Sequence, residues 1–330
     1  MMDHKNIIIA IAFVSLFCAS ISDAKTLYVN GSTGNDSTTY ANNSEANPWA
    51  TLQRATWGTA TVGTANTSEA AQAGDTVLVA AGTYTANRSA LANNRWTVTF
   101  NPANSGSSGN LITFQADGAV TLQHTNGNGP IIGAAERNYI VWDGFYIDEA
   151  NALAASDTGP VIVTGDYCQL LNLEIKGNDP EWEDNHNGIR LEGANHTTIR
   201  NCKIYDVAER GYGQNAAAIM MYDSDDSIIE NNEFYNCGSG VFVKGIHDGQ
   251  TQANNIIRKN LIYSMGHSGI RVLGSQGSLV YQNIIHSSSR GLHIGFFDPT
   301  DDLLVNNTIY NCTYGIVPQH SDMVNEVVYN

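Results

Sequence analysis

One phrase recurs along the second half of the 330-residue chain, and no other feature restricts the fold as strongly. Each copy opens on a small residue, continues with alternating apolar residues and, after a loop, closes on an asparagine-rich segment. The copies open at Gly188, Ala218, Gly240, Gly269, Gly291 and Gly315, which gives spacings of 30, 22, 29, 22 and 24 residues. Spacings this unequal argue against a strictly periodic helical repeat and predict a coil of short strands joined by loops of different length.

The second half of the phrase repeats as regularly as the first. Four asparagines each stand two residues before an apolar residue that is followed directly by a ring; they are Asn232, Asn260, Asn283 and Asn307, with Tyr235, Tyr263, His286 and Tyr310 as the rings. In a stacked coil, equivalent residues lie about 4.8 Å apart, the ordinary spacing of strands. We therefore predict an asparagine ladder and a stack of rings, both of which stabilise a solenoid without carrying out chemistry.

Alternation along each short strand predicts which residues are buried. Ile189 and Leu191, with their equivalents in later coils, are expected to face the core, and the residues between them to face solvent. No segment beyond residue 60 carries an apolar stripe with helical spacing. The sequence thus predicts an all-β chain, folded as a single-stranded parallel β-helix.

The start of the solenoid is predicted to be covered. Residues 26–30 have the composition of a strand. Residues 47–55 predict a short helix with Pro48 in its first turn. Such a helix would shield the backbone and core that the end of a solenoid exposes.

The first residues predict export. A polar start that includes Lys5, an apolar run over residues 7–18 and small residues ending at Ala24 make a signal peptide. The apolar run is about a dozen residues, too short for a bilayer that needs roughly 20. We therefore expect residues 1–24 to be removed and residues 25–330 to form one β-helix domain.

Two alternatives concern the ends of the chain. A lipid anchor on Cys18 would replace the soluble exported form, although bulky Phe17 before it argues against an anchor. At the other end, Asn330 falls within a coil and no capping segment follows it. We therefore expect the natural chain to continue past that residue.

The charge of the mature chain excludes some partners. Removing the leader takes Lys5, Asp3 and Asp23 from 16 cations and 32 acids, which leaves 15 against 30 and a net charge of −15. Such a surface attracts neither nucleic acid nor anionic membranes. We expect a secreted, periplasmic or cell-surface monomer without a transmembrane segment in its mature chain. To bind an acidic polymer it needs cations grouped in one place, or a bridging metal.

Four cysteines remain after the leader, Cys168, Cys202, Cys237 and Cys312. An even number in an oxidising compartment is typical of disulfides. Cys237 and Cys312, however, hold the same position in coils three apart, roughly 14 Å by strand spacing, and a bridge needs Cα atoms within about 7 Å. The other two stand at different positions. We predict four free cysteines that pack as small hydrophobes, with disulfide pairing as the alternative.

The opening of the mature chain resembles a known module. It reads Gly-Asn-Asp at 34–36, Asn-Pro-Trp-Ala-Thr-Leu-Gln at 47–53, Gly-Asp-Thr-Val at 74–77, Gly-Thr-Tyr at 82–84 and Ser-Gly-Ser-Ser-Gly-Asn-Leu-Ile-Thr-Phe-Gln-Ala at 105–116. This series is similar to the opening of family 9 pectate lyases and of the chondroitinase B and alginate lyase group. The resemblance covers essentially the whole mature chain. It implies a right-handed parallel β-helix of the pectate-lyase-like superfamily and an acidic polysaccharide as partner.

Two columns of outward residues on the first sheet hold the candidate site. One carries Arg190, Phe242, Arg271 and His293, and the other carries Glu192, Tyr222 and Lys244. A lyase must neutralise a uronate carboxylate, which an arginine can do, and remove the C5 proton, which a lysine beside other cations can do.

We interpret Lys244 as the base, Arg271 or Arg190 as the carboxylate clamp, and Tyr222 or His293 as the proton donor. The strongest catalytic set is Lys244, Arg271 and Tyr222, and the substrate-binding set is Arg190, Glu192, Phe242 and His293. The alternative is that mixed charges merely solvate the outside of a sheet.

Acidic residues beside these columns are candidate calcium ligands. Asp223, Asp225 and Asp226 stand together after one strand, and the other loop acids are Glu181, Glu183, Asp184 and Asp248. Carboxylates are ligands that Ca²⁺ prefers, so calcium is a candidate cofactor, with a plain turn as the alternative. The calcium cluster of the family 9 lyases does not carry over: the matching coil reads Asn-Gly-Ile at 187–189, and Ser-Ile-Ile follows Asp226.

The sequence therefore supports two kinds of function. The first is a polysaccharide lyase that cleaves an acidic, uronate-containing polysaccharide by β-elimination. The second, favoured by the missing calcium cluster, is a non-catalytic glycan-binding or cell-surface β-helix protein. A glycoside hydrolase of the polygalacturonase type is represented only by Gly-His-Ser-Gly at 266–269.

Overall fold

The computed structural model describes residues 24–60, 64–86, 98–124, 129–150, 159–178, 185–207, 215–245, 252–295, 301–318 and 327–329. The predicted leader before Ala24 and the loop acids Glu181, Glu183, Asp184 and Asp248 lie outside the described residues. Within the described segments the chain is almost entirely strand and turn. Its first elements are β1 (Thr26–Val29), a 3-10 turn (Tyr40–Asn42), α1 (Leu52–Trp57), β2 (Thr76–Ala86) and β3 (Ile112–His124).

Helix α1 begins later than the sequence predicted. Trp49 is still extended, because its N–H donates to the Tyr28 carbonyl at 2.9 Å. The hydroxyl of Thr51 then accepts from the N–H of Arg54 at 3.1 Å, which makes Thr51 the N-cap. The expectation that Pro48 lies in the first turn is therefore wrong, since Pro48 precedes the helix.

Short strands then wind through successive coils. They are β4 (Ile132–Ala134), β5 (Ile140–Asp143), β6 (Tyr146–Asp148), β7 (Val161–Val163), β8 (Gln169–Leu171), β9 (Glu174–Lys176), β10 (Asn187–Glu192), β11 (Thr198–Arg200), β12 (Lys203–Val207), β13 (Ala217–Tyr222), β14 (Ile228–Glu230), β15 (Glu233–Cys237), β16 (Ser239–Lys244), β17 (Gln252–Ala253), β18 (Ile256–Arg258), β19 (Leu261–Tyr263), β20 (Ser268–Leu273), β21 (Ser275–Gln276), β22 (Leu279–Tyr281), β23 (Ile284–His286), β24 (Arg290–Ile294), β25 (Leu303–Val305), β26 (Thr308–Tyr310), β27 (Tyr314–Pro318) and β28 (Val327–Tyr329).

The strands of each coil contribute to three parallel faces. Sheet 1 has eight strands, in the order β4, β7, β10, β13, β16, β20, β24 and β27. The other two faces form one continuous sheet of eighteen strands, in which β11 pairs with β14 and β12 with β15. Every pairing between these strands is parallel, as the unequal repeat predicted. The all-β parallel β-helix is thereby confirmed.

One hydrophobic core runs the length of the solenoid, from Leu27 to Leu304. Leu52 and Ala55 of α1 belong to it, so the helix covers the end of the solenoid at which β1 lies. Ile189, Leu191 and their equivalents are buried in this core, which confirms the inward half of the predicted alternation.

The asparagine ladder and the ring stack are both confirmed. Asn232 Nδ2 donates to Asn260 Oδ1 at 3.0 Å, Asn260 Nδ2 to Asn283 Oδ1 at 3.0 Å, and Asn283 Nδ2 to Asn307 Oδ1 at 2.9 Å. Ring centroids lie 4.8 to 5.1 Å apart along the stack, which consists of Tyr205, Tyr235, Tyr263, His286 and Tyr310. Both features stabilise the register between coils.

The corners of the coil are built from residues with positive φ. At three positions of the coil, equivalent residues in successive turns adopt φ values between 52° and 60°; they are Tyr139, Tyr167, His196, Asp226, Asn254 and Asp301, then Asn172, Asn201, Asn231, Lys259, Gln282 and Asn306, then Asp206, Asn236, Ser264, Ser287 and Asn311. Asparagine and aspartate tolerate this left-handed conformation best among residues with a side chain. The frequency of asparagine in the repeat therefore has a second cause besides the ladder.

The recurring glycine is required by packing from across the coil. A Cβ added at Gly188, Gly240, Gly269 or Gly291 would overlap the Cγ2 atom of an isoleucine and approach a backbone carbonyl of the next coil. The isoleucines are Ile204, Ile262, Ile285 and Ile309, equivalent residues on the third face. The opening glycine of each repeat thus makes room for a column of isoleucine side chains.

All four predicted free cysteines are confirmed. None of Cys168, Cys202, Cys237 and Cys312 forms a disulfide, and only Cys312 is not fully buried. No helix among the described residues is long and apolar enough to cross a membrane.

Candidate functional site

The outer face of sheet 1 carries three columns of side chains. The middle column consists of Ile162, Arg190, Met220, Phe242, Arg271 and His293. The far column, nearer the end of each strand, consists of Glu192, Tyr222, Lys244 and Leu273. The edge column, at the start of each strand, consists of Asn187, Ala217, Ser239, Ser268 and Arg290. The register predicted for the middle and far columns is therefore confirmed.

The prediction that these columns face solvent is wrong for most of them. Phe242 is 1% exposed, Arg271 3%, His293 5%, Arg190 8% and Tyr222 9%. Large side chains on adjacent strands pack against one another, and an apolar cluster forms on the outside of the sheet from Ala217, Met220, Tyr222, Phe242 and Leu273. Glu192 and Lys244 keep partial exposure, so the far column is the accessible part of the predicted site.

Lys244 ends β16 beside two rings. Its Nζ lies 5.3 Å from the ring centroid of Tyr222 and 5.9 Å from that of Phe242, within the range of cation–π attraction. The same Nζ donates to Asn215 Oδ1 at 2.8 Å. Asn215 precedes β13 in an earlier coil and was not among the predicted site residues. Nothing in the order of the repeat distinguishes it from other loop asparagines.

Two arginines contact the same rings. The guanidinium carbon of Arg190 lies 4.5 Å from the Tyr222 ring centroid, and that of Arg271 lies 3.9 Å from the Phe242 centroid. Arg190, Tyr222, Lys244, Phe242 and Arg271 therefore form a continuous series, which we call the cation–aromatic chain. A cation against a ring face keeps its charge while it gives up part of its hydration.

Glu192 is the acid of the predicted substrate-binding set. Its Oε2 accepts from Arg190 Nε at 3.0 Å, and both side chains are mostly buried. This pair fixes the direction of the Arg190 guanidinium. Of the predicted cations, Arg190 is thus partly neutralised within the protein.

A second group of residues lies on this face; the sequence offered His267 only within the Gly-His-Ser-Gly segment at 266–269 and did not offer Arg290. His267 precedes β20, and Arg290 begins β24. Nη1 of Arg290 lies 2.6 Å from Nε2 of His267, and the ring of His267 lies 5.7 Å from that of His293 between centroids. Arg290 occupies the repeat position at which earlier coils have Ser239 and Ser268. The sequence therefore shows an arginine where those two coils have a serine.

The environment of His267 keeps its imidazole neutral. Burial lowers the pKa of His267 to about 3, and the positive charges of Arg271 and Arg290 and the nearby His293 add to the effect. A histidine with that pKa carries no charge at neutral pH. The neutral imidazole therefore adds no charge to those of Arg271 and Arg290.

The predicted calcium ligands do not converge on one point. Asp225 Oδ1 accepts from the N–H of Ala253 at 2.6 Å, and Asp226 Oδ2 lies 3.9 Å from His196 Nδ1. Among the described residues, no three acidic, histidine or cysteine side chains form a group that could hold a metal ion. The candidate acids that the structure describes do not form a calcium site by themselves; calcium stays a prediction, and no chemical step below depends on it.

Comparison with known families and structures agrees with the fold. The family described as right handed beta helix region matches residues 187–330. The chain is a right-handed parallel β-helix. The search of curated proteins found no match to its sequence.

Solved structures of this fold resemble the chain at low sequence identity. An alginate lyase from Paenibacillus sp. str. FPU-7 aligns with a TM-score of 0.50 and 17% identity, over 77% of this chain and 93% of its own. PfbA, a surface adhesin of Streptococcus pneumoniae, aligns with a TM-score of 0.55 and 12% identity, over 77% and 70%. An exopolygalacturonase from Thermotoga maritima aligns with a TM-score of 0.52 and 13% identity, over 73% and 68%. A lyase, an adhesin and a hydrolase share this architecture, so the likeness establishes the fold alone.

Proposed function

We propose that the chain is an exported polysaccharide lyase that cleaves a uronate-containing polysaccharide on the outer face of sheet 1. The cation–aromatic chain carries the proposal. It places Lys244 between two rings that also hold Arg190 and Arg271. In a protein with twice as many acids as cations, these cations, of which Arg190 is paired with Glu192, supply the local positive charge that an anionic polymer requires.

The chemistry needs a cation, a base and an acid. An arginine pairs with the uronate carboxylate and so makes the C5 proton easier to remove. Lys244, in its deprotonated form, takes that proton as the general base. The electron pair of the C5–H bond forms the C4–C5 double bond while the C4–O bond breaks. The Tyr222 hydroxyl gives its proton to the departing oxygen, so atoms and charges balance without a co-reactant.

The accessible end of the cation–aromatic chain decides which residues meet the substrate first. Lys244 and Glu192 are partly exposed, whereas Arg271 is buried. The sugar to be cleaved is therefore expected to lie over the far column. Arg190, between Glu192 and Tyr222, is the arginine closest to that column and the better candidate for the carboxylate clamp.

Burial of the middle column favours a second candidate function. Arg271 and His293 are at most 5% exposed, which suits residues that stabilise the sheet more than residues that turn over substrate. In that case the same face holds a glycan without cleaving it. The resemblance of PfbA, a surface adhesin, supports export and this non-catalytic use, as the alginate lyase supports the first.

A direct assay separates the two functions. The mature protein is incubated with pectate, alginate, chondroitin sulfate and dermatan sulfate, with and without Ca²⁺, while absorbance of unsaturated uronate is followed. We expect growing absorbance on one of these polymers. Saturable binding to a polymer without any absorbance change would contradict the lyase and support the binding protein.

A further inference from the structure

A second cationic group lies on the outer face of sheet 1, at the opposite edge from Lys244. Arg290 opens β24 in the edge column and directs Nη1 at Nε2 of His267. The other ring nitrogen, Nδ1, lies 2.7 Å from the hydroxyl oxygen of Ser268. An imidazole that accepts at Nε2 carries its single proton on Nδ1 and donates it to Ser268. Ser268, which is fully buried, thereby fixes the tautomer and the orientation of the His267 ring.

Arg290 has a neutral partner rather than a carboxylate. Within the described part of the chain it hydrogen-bonds to His267 and forms no ion pair with a carboxylate. Arg200 and Arg258, by contrast, share the carboxylate of Glu230, each at 2.6 Å. Arg290 is also partly exposed. Its charge is therefore available to an anion from solution.

The surroundings reinforce that charge. His267 remains neutral because of its burial and of the positive charges of Arg271 and Arg290, with His293 beside them. A neutral imidazole does not offset the positive charge of Arg290 as a carboxylate would. An anion bound beside Arg290 would raise the pKa of His267 part of the way back to its ordinary value.

We infer that Arg290, His267 and Ser268 form a binding subsite for an oxyanion, either a carboxylate or a sulfate ester carried by a glycan. The planar guanidinium offers two parallel N–H donors to such a group, and the fully buried Ser268 orients the His267 ring. Ser239, one strand away in the edge column, is buried and its hydroxyl oxygen has no hydrogen-bond partner. A buried polar atom of this kind is completed by water or by a ligand hydroxyl.

The subsite is separate from the proposed catalytic position. Arg290 lies two strands from Lys244, about 10 Å, and five residues nearer the start of its strand, about 16 Å. The Arg290 subsite would therefore bind a charged group on a different sugar from the one above Lys244. The inference stands whether or not the chain cleaves its ligand.

The pKa of His267 is the readout. Histidine ring signals are followed by NMR from pH 8 to pH 4 in sodium chloride, sodium sulfate or sodium glucuronate of equal ionic strength, and His267→Gln identifies the signal. In chloride we expect no titration of His267 above pH 4. A bound oxyanion should raise the pKa of His267 by about one unit or more. A larger rise in sulfate points to a sulfate ester, and a larger rise in glucuronate points to a uronate. No change in either salt would overturn the inference.

Matched arginine variants test the assignment. Removing Arg290 itself raises the pKa of His267, so the quantity compared is the further change caused by the anion. That change should vanish in Arg290→Gln and persist in Arg258→Gln, which alters an arginine on another face. If Arg290→Gln does not fold, Arg290→Lys keeps the charge but loses the paired donors and should weaken the anion effect several-fold. An anion effect as large in the Arg290 variant as in the wild type would overturn the inference.

Discussion

On the outer face of sheet 1, the neighbours of each ionisable side chain decide whether its charge is paired and, for His267, whether it is charged at all. Arg190 has Glu192 as a partner, whereas Arg290 has a neutral imidazole. Burial and two arginines hold the pKa of His267 near 3. The charge of this face therefore depends on contacts within a strand, as for Arg190, and between coils, as for Arg290.

The low pKa of His267 predicts a dependence of stability on pH. The unfolded chain binds a proton at this residue near pH 6.5, but the folded chain does so only near pH 3. Because the unfolded state binds more protons between these values, the free energy of unfolding falls as the pH falls through that window. Urea midpoints at pH 7 and pH 4.5 should differ less for His267→Gln than for the wild type. Equal differences would contradict the assignment.

Asp302 contributes a pH dependence of stability of the opposite sign, so the effect of His267 is seen only by comparing the variant with the wild type. Burial raises its pKa to about 6, so the folded chain takes up this proton before the unfolded chain does. Acidification from pH 7 therefore stabilises the fold through Asp302, the opposite sign to His267. The variant isolates the contribution of His267 because Asp302 is present in both proteins.

The sequence could place the predicted site residues but not their contacts. Lys244 and Tyr222 were correctly assigned to one column, since the repeat fixes which residues are neighbours on adjacent strands. His267 and Arg290 were missed as a pair because His267 lies outside the strand and its ring reaches a residue in the next coil. The direction of a side chain at a corner does not follow from alternation.

Among the structural elements, the asparagine ladder contributes most clearly to stability. Asn260 accepts from the backbone and side chain of Asn232, and it donates to Asn283 and to the Ile229 carbonyl, all at 3.0 Å. Its side chain is 1% exposed. Every hydrogen bond that it makes is therefore formed away from water.

Asn260→Ala should lower the free energy of unfolding by about 3 kcal/mol or more, since several buried groups lose their partners at once. Asn311→Gly is the matched control, because Asn311 is exposed and its φ of 53° suits glycine. The control should change stability by less than about 0.5 kcal/mol. Denaturant unfolding of both variants measures the difference, and equal losses would contradict a role for the ladder.

The glycine column gives a second prediction at this scale. In Gly269→Ala the new methyl group would overlap Ile285 Cγ2 and lie 2.8 Å from the Gly291 carbonyl oxygen. Overpacking of this kind costs about 1–3 kcal/mol, and we expect a matching fall in the urea midpoint. Gly315→Ala meets no atom within 4 Å and should leave the midpoint unchanged. A comparable loss in both variants would show that the isoleucine column is not the cause.

Strands were easier to predict than the boundary of the helix. The alternation of apolar residues and the opening glycine located β10, β13, β16, β20 and β24. The start of α1 was misplaced because Pro48 is a common first residue of helices, whereas here Trp49 still pairs with the β1 strand. Tertiary pairing therefore outweighed a local preference that the sequence displays clearly.

For the whole molecule, the fold follows from the repeat, but the environment of each face does not. Alternation states on which side of a sheet a residue lies, and this was correct for Arg271 and Phe242. It does not state whether that side is covered, and both residues are buried. The cations that the sequence placed in open solvent lie instead in a packed layer whose accessible part is centred on Lys244.

We propose Lys244 as the base that acts on an acidic polysaccharide, and Lys203 provides a close control. Lys203 also lies over two rings, 4.9 Å from the Tyr205 centroid and 5.7 Å from that of Tyr235, but on another face of the solenoid. Lys244→Met and Lys203→Met therefore each remove a lysine charge from beside two rings, although Lys203 also pairs with Glu174 at 3.4 Å.

The decisive measurement is the initial rate of unsaturated-uronate formation by the wild type and the two lysine variants on the responding polymer. We expect Lys244→Met to lower the rate by about 10²- to 10⁴-fold, as for loss of a general base, and Lys203→Met to keep the wild-type rate. Equal rates for the two variants, or no turnover by the wild type on any of the polymers, would contradict the proposal.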